Sequence, residues 1–146
     1  MAKIGFYHLT RSSPTAALPH LLTRTLAAGQ RAIIVGCSSD SILALSDALW
    51  AASMWLPHGT IRDGDAPLQP IWLTTEVTPL NGARYLFQID GVNVLELDGY
   101  ERVFDLFDGA DPSAVVAARE RWITVKKAGH HLSYWQQTET GWREKA

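Results

Sequence analysis

Arg119, Trp122 and Lys126 stand at i, i+3 and i+7. At about 100° per residue that spacing sets them on one stripe of a helix, with Val115 a turn upstream. An aromatic ring between two cations suits a short acidic peptide with an apolar tip. It offers neither a nucleophile nor a proton relay. The flanking residues make the helix itself easy to read. Asp111 is an acidic N-cap and Pro112 follows where no intrahelical N–H is needed. Gly129 closes the segment, and Lys126 and Lys127 fall in the last turn, where cations complement the helix dipole. Between Arg119 and Lys127 four residues are basic and one, Glu120, is acidic. That local excess argues for a docking patch.

The other chemically capable residues read as structural. The five histidines, His8, His20, His58, His130 and His131, are scattered. No Cys or carboxylate spacing completes a metal set around them, so helix-end and surface positions are expected. Asp98, Glu101, Asp105 and Asp108 recur through a strand with loops at both ends, which predicts solvated edge and turn carboxylates. Ser38, Ser39 and Ser41 lack the glycine-flanked turn of a hydrolase nucleophile, and helix capping accounts for them. Cys37 is the single cysteine; it excludes an intrachain disulfide and reads as a small buried hydrophobe. No catalytic site, cofactor site or metal site is expected.

Composition sets the frame. A chain of 146 residues, 47% hydrophobic and 19% charged, fits one globular domain over residues 1–146. Its apolar runs fall far short of the roughly 18 residues that span a bilayer. MAKIGFYHLT has no apolar core or small-residue cleavage site of a secretory leader, so a cytoplasmic location is expected. The net charge of −2 supplies no global field to recruit nucleic acid.

Positioning the basic stripe requires a scaffold, and the hydrophobic pattern supplies one. Lys3 to Leu9 reads as a first strand. Ser12, Ser13 and Pro14 start a helix with Leu18, Leu21, Leu22, Thr25 and Leu26 on one face, Pro19 in its first turn and Gly29 at its end. Arg31 to Cys37 is a continuous apolar run of the kind found in buried parallel strands. Ser38 to Asp40 can cap a second helix bearing Ile42, Leu45 and Leu49. From Ala51 to Pro70 prolines and glycines mark a long connection. Ile71 to Thr75, Tyr85 to Ile89 and Arg102 to Phe107 read as strands, whereas Asp90 to Gly99 fits either a strand or a helical turn. A tryptophan-rich tail follows the last helix. This order predicts an α/β three-layer, Rossmann-like sandwich with a largely parallel sheet.

Such a fold invites a nucleotide. The first strand-to-helix turn, HLTRSSPTAAL, contains no glycine, and the second, GCSSDS, has one and no lysine. Neither can cradle a pyrophosphate as the dinucleotide or P-loop motifs do. A nucleotide-binding enzyme and a direct single-stranded-DNA binder remain as alternatives. The first would place a ligand at the carboxyl ends of the first two strands; the second would stack bases on aromatics with basic flanks. Of the six tryptophans, Trp72 is expected in the core. Trp50 and Trp55, beside Met54, Leu56 and Pro57, fit a protein interface as well as a core, and so does Trp122.

Several segments, in order, resemble the chi subunit of bacterial DNA polymerase III. They are FYHL (Phe6 to Leu9), AAGQRAIIVG (Ala27 to Gly36), DALW (Asp47 to Trp50), WLPHG (Trp55 to Gly59) and ARERW with KKAGHHLSYWQQTETGW (Ala118 to Trp142). The resemblance runs nearly end to end, and its last segment is the most distinctive. It implies a non-catalytic accessory subunit that joins the clamp loader to single-stranded-DNA-binding protein by holding that protein's acidic C-terminal tail. The family's tail-binding positions fall on Arg119, Trp122 and Lys126. Ile123 stands where some members carry another cation, and Lys127 compensates. Phe107 would supply the apolar wall. The resemblance places the surface for the psi subunit, or for another clamp-loader subunit, on Trp50, Trp55, Leu56 and Pro57.

Overall fold

Small polar residues and prolines set the helix starts. Ser13 precedes helix α1 (Pro14–Ala27) and its side chain accepts the Ala16 N–H. Ser38 does the same for Ser41 at the head of α2 (Ser39–Ala51), and Asp111 for Ser113 at the head of α3 (Pro112–Lys127). The structure is a computed structural model and describes every residue except Met1, Ser53, Pro79, Leu95 and Ala146. Its strands are β1 (Lys3–Leu9), β2 (Ala32–Val35), β3 (Ile71–Thr74), β4 (Tyr85–Gln88), β5 (Arg102–Asp108), β6 (His131–Thr138) and β7 (Gly141–Glu144).

The seven strands form one sheet in the order β3-β2-β4-β5-β1-β6-β7. Every neighbouring pair is parallel except β6 and β7. The strands nearest the middle read as unbroken apolar runs because both faces are covered. On one face α1 and α2 bring Leu18, Leu22, Leu45 and Leu49 against Leu9, Ile34, Phe87 and Leu106. On the other, α3 contributes Ala118 and Val125, which join Ile4, Phe6, Ile33 and Val103. The result is the expected α/β sandwich, helix–sheet–helix, with the sheet as its middle layer.

Three expectations are corrected. The tail is not a loose appendage. Residues 131–138 pair with β1, whose Lys3 opposes His131 and His8 opposes Gln136, and the chain then turns back as β7. Pro19 lies in the second turn of α1, not the first, and is buried there. The helix accepts the missing N–H because its packed face compensates. The ambiguous segment 90–99 is neither strand nor helix at its described positions, with Leu95 outside them. It lies over the α3 face of the sheet, where Val94, Leu97 and the adjoining Tyr100 are buried.

Candidate peptide-binding site

The predicted stripe on α3 borders a cavity. Helix α3 lies on the sheet through Ala118, Arg121 and Val125, and Gly129 ends it at a positive φ of 86° that a glycine adopts without strain. Between α3 and the strands β5 and β6 is a hollow of about 420 Å³. It is lined by Phe107, Val115, Ala118, Trp122, Ile123 and Tyr134, with the exposed Arg119 at its edge. Trp122 meets Phe6 edge-on at 5.3 Å and Tyr134 at 6.0 Å. It is half-buried, so one side of the indole belongs to the core and another to the cavity. Three of the predicted residues, Phe107, Arg119 and Trp122, therefore converge. Lys126 and Lys127 are exposed at the end of the helix and do not line the hollow.

One further residue, Tyr134, lines this hollow, and His8 bonds to it. Tyr134 comes from β6, and its hydroxyl lies 2.7 Å from Nδ1 of His8 on β1. The His8 ring stacks on Phe107 with centroids 5.0 Å apart. Gly109 makes room for it: a Cβ there would stand 2.3 Å from His8 Cδ2. Burial pushes the His8 pKa below its ordinary value, and the nearby Arg119 charge pushes it further the same way. Burial raises the Tyr134 pKa, and Arg119 partly offsets that. The weak signal for Tyr134 is its alternation with Leu132, which the polar neighbours in this segment mask.

Arg121 does not belong to the basic patch. It is buried, and its Nε and Nη2 donate to the two carboxylate oxygens of Asp105 at 2.7 and 2.9 Å. Gln88 Nε2 donates to the same carboxylate at 2.8 Å. Asp105 is thus not the solvated strand carboxylate expected; burial raises its pKa against the pull of Arg121 and Gln88. The pair locks α3 to β5 beneath the cavity. It also lowers the local charge excess, leaving Arg119, Lys126 and Lys127 against Glu120.

The second predicted surface divides. Trp50 is 55% and Trp55 80% exposed, on the opposite face of the sheet from α3. Pro57 is half-buried, but Leu56 is 2% exposed and packs into the α1–α2 core. Leu56 therefore cannot itself present to a partner. His58, expected at the surface, is buried. Its ring bonds Ser46 Oγ at 2.9 Å and the Leu56 carbonyl at 2.8 Å, and Trp50 lies on it with centroids 4.1 Å apart. Cys37, expected inside, is exposed: it follows the last buried position of its strand run and stands at the turn into α2.

At the carboxyl ends of the strands, protein groups occupy the amides a phosphate would need. Gln137 Oε1 accepts the Arg11 and Ser12 N–H groups at 2.9 and 3.1 Å, filling the turn between β1 and α1. The Asp90 carboxylate takes the Cys37 N–H at 3.2 Å and the Ser41 hydroxyl at the head of α2. A carboxylate in that place disfavours a nucleotide phosphate. Among the described residues no group of three His, Cys, Asp or Glu side chains is arranged to hold a metal. No helix among them is long and apolar enough to cross a membrane.

The family model of the DNA polymerase III chi subunit, HolC, matches residues 1–133, and the chain belongs to that family. No curated protein matches it.

Proposed function

We propose that this chi-family protein is a non-catalytic, cytoplasmic adaptor of the replicase that holds the acidic C-terminal tail of single-stranded-DNA-binding protein in the α3 hollow. The observation that carries the reading is one apolar cavity, walled by Trp122 and Phe107, with Arg119 at its rim. The tail's terminal apolar ring would enter between Phe107, Trp122 and Tyr134. Arg119 would hold the terminal carboxylate, and Lys126 and Lys127 would attract acidic side chains further back along the tail.

Magnitudes are consistent with a reversible adaptor. Each charge-assisted hydrogen bond contributes about 1.5–3 kcal/mol, less where water reaches it. Set against ordering a flexible tail, one or two such bonds and one buried ring give an affinity in the micromolar range. Because the cations are exposed, the affinity falls as salt rises.

Exposed Trp50 and Trp55, with Pro57 beside them, support a second contact with the psi subunit or another clamp-loader subunit, apolar in character. Calorimetric titration tests the first contact: a peptide copying the tail binds in a salt-sensitive way, and the same peptide without its final residue does not. Equal binding of both peptides overturns the assignment of the cavity to the terminal residue.

A further inference from the structure

Tyr134, which lines the hollow, carries a hydroxyl paired with His8 that an apolar-ring pocket does not need. Tyr134 is one of its aromatic surfaces, but its hydroxyl is fixed by His8 Nδ1 at 2.7 Å. His8 is held in turn by its stack on Phe107 and by the close approach of Gly109. Neither side chain bonds any other protein group among the described residues, so neither is explained by a structural network. Tyr134 lies outside the matched span of residues 1–133.

The geometry points to Tyr134 as a second carboxylate-binding residue of the hollow and to His8 as the residue that positions it. The inference rests on the tail-binding reading. With its proton on Nδ1, the neutral imidazole donates to the phenol oxygen, and the phenol O–H is then free to turn toward a ligand. Arg119 and Tyr134 line the same hollow, so an anion entering it beside the apolar ring would meet both. A peptide ending in an apolar residue places a free α-carboxylate and a side chain one Cα apart, which matches that juxtaposition. A peptide whose anionic groups lay only on internal Asp or Glu residues would use the helix-end lysines and leave Tyr134 idle. The bound chemistry is therefore a free C-terminus on an apolar residue.

The charges around His8 are consistent with this orientation. Arg119 from α3 disfavours a second cation at the imidazole. Tyr134 faces it from β6, and Phe107 from β5 carries no charge. At the end of β5 the Asp108 carboxylate is engaged by the Ala110 N–H at 2.9 Å.

The test uses the whole protein and two tail peptides that differ only at the end, one a free acid and the other a C-terminal amide. The wild type binds the acid more tightly than the amide. Tyr134→Phe keeps the ring and weakens the acid about tenfold, the loss of one hydrogen bond to a charged group, while leaving the amide unchanged. His8→Leu reproduces that selective loss, and His8→Asn, which keeps a donor close to the Nδ1 position, restores most of the affinity. If Tyr134→Phe weakens both peptides equally, or neither, the carboxylate role is overturned and the tail-binding reading stands. If the wild type binds neither peptide, both fail together.

Discussion

Arg119 and Trp122 were legible as one helical stripe, and Phe107 joined them only through the family resemblance. Tyr134 and His8 were not, since a parallel pairing 126 residues apart brings them together. Asp105 and Arg121 were hidden differently, by the packing of α3 on β5. In sequence an aspartate in a strand and an arginine in a basic helix look solvated; only the register of β5 under α3 makes them partners. Arg119→Ala is expected to weaken the tail peptide roughly tenfold or more without changing the melting temperature, because the side chain is exposed and caps nothing. Calorimetry paired with thermal unfolding checks both halves. His8 gives a pH prediction. Its folded pKa lies below the ordinary 6.5, so the unfolded chain takes up the proton more readily. The stability it contributes is complete above 6.5 and is lost as pH falls through the lowered folded value. Denaturant midpoints measured across that window should fall less steeply in His8→Asn than in the wild type.

At the scale of elements, the three helices and the five strands before α3 were legible. Each carries its own local signal, a cap, a proline or an unbroken apolar run. What escaped was β6 and β7; in β6 the alternation is masked by Ser133, Gln136 and Gln137 at half-buried positions. These strands need β1 as a template, and their tryptophans show how they are held. Trp135 stacks on Tyr7 at 6.3 Å, and Trp142 meets the same ring edge-on at 5.0 Å. The joint between α3 and β5 is the element-level prediction. Asp105→Ala would strand the Arg121 charge in the core and is expected to cost about 3–5 kcal/mol, whereas replacing both partners with apolar residues of similar volume costs far less. Chemical denaturation of the single and double variants measures the difference. A cost near zero for Asp105→Ala would mean that Arg121 escapes to solvent.

Over the whole molecule, the sheet separates two surfaces. The α3 hollow faces one side, and Trp50 and Trp55, on α2 and the loop after it, face the other. Two surfaces on opposite sides of one sheet can hold a flexible tail and a second protein at once without either blocking the other. Trp55→Ser is accordingly expected to leave tail affinity unchanged while weakening the clamp-loader contact, and Arg119→Ala to do the reverse; titrating each variant with each partner checks this independence. The central claim is that the tail sits between α3, β5 and β6, and chemical-shift mapping of the 15N-labelled protein with the tail peptide tests it most directly. The account predicts that the largest shifts cluster on the Trp122 indole N–H and on the amides of Phe107, Arg119, Ile123 and Tyr134. Shifts centred instead on Trp50, Trp55 and Pro57, with the α3 resonances unmoved, would contradict it.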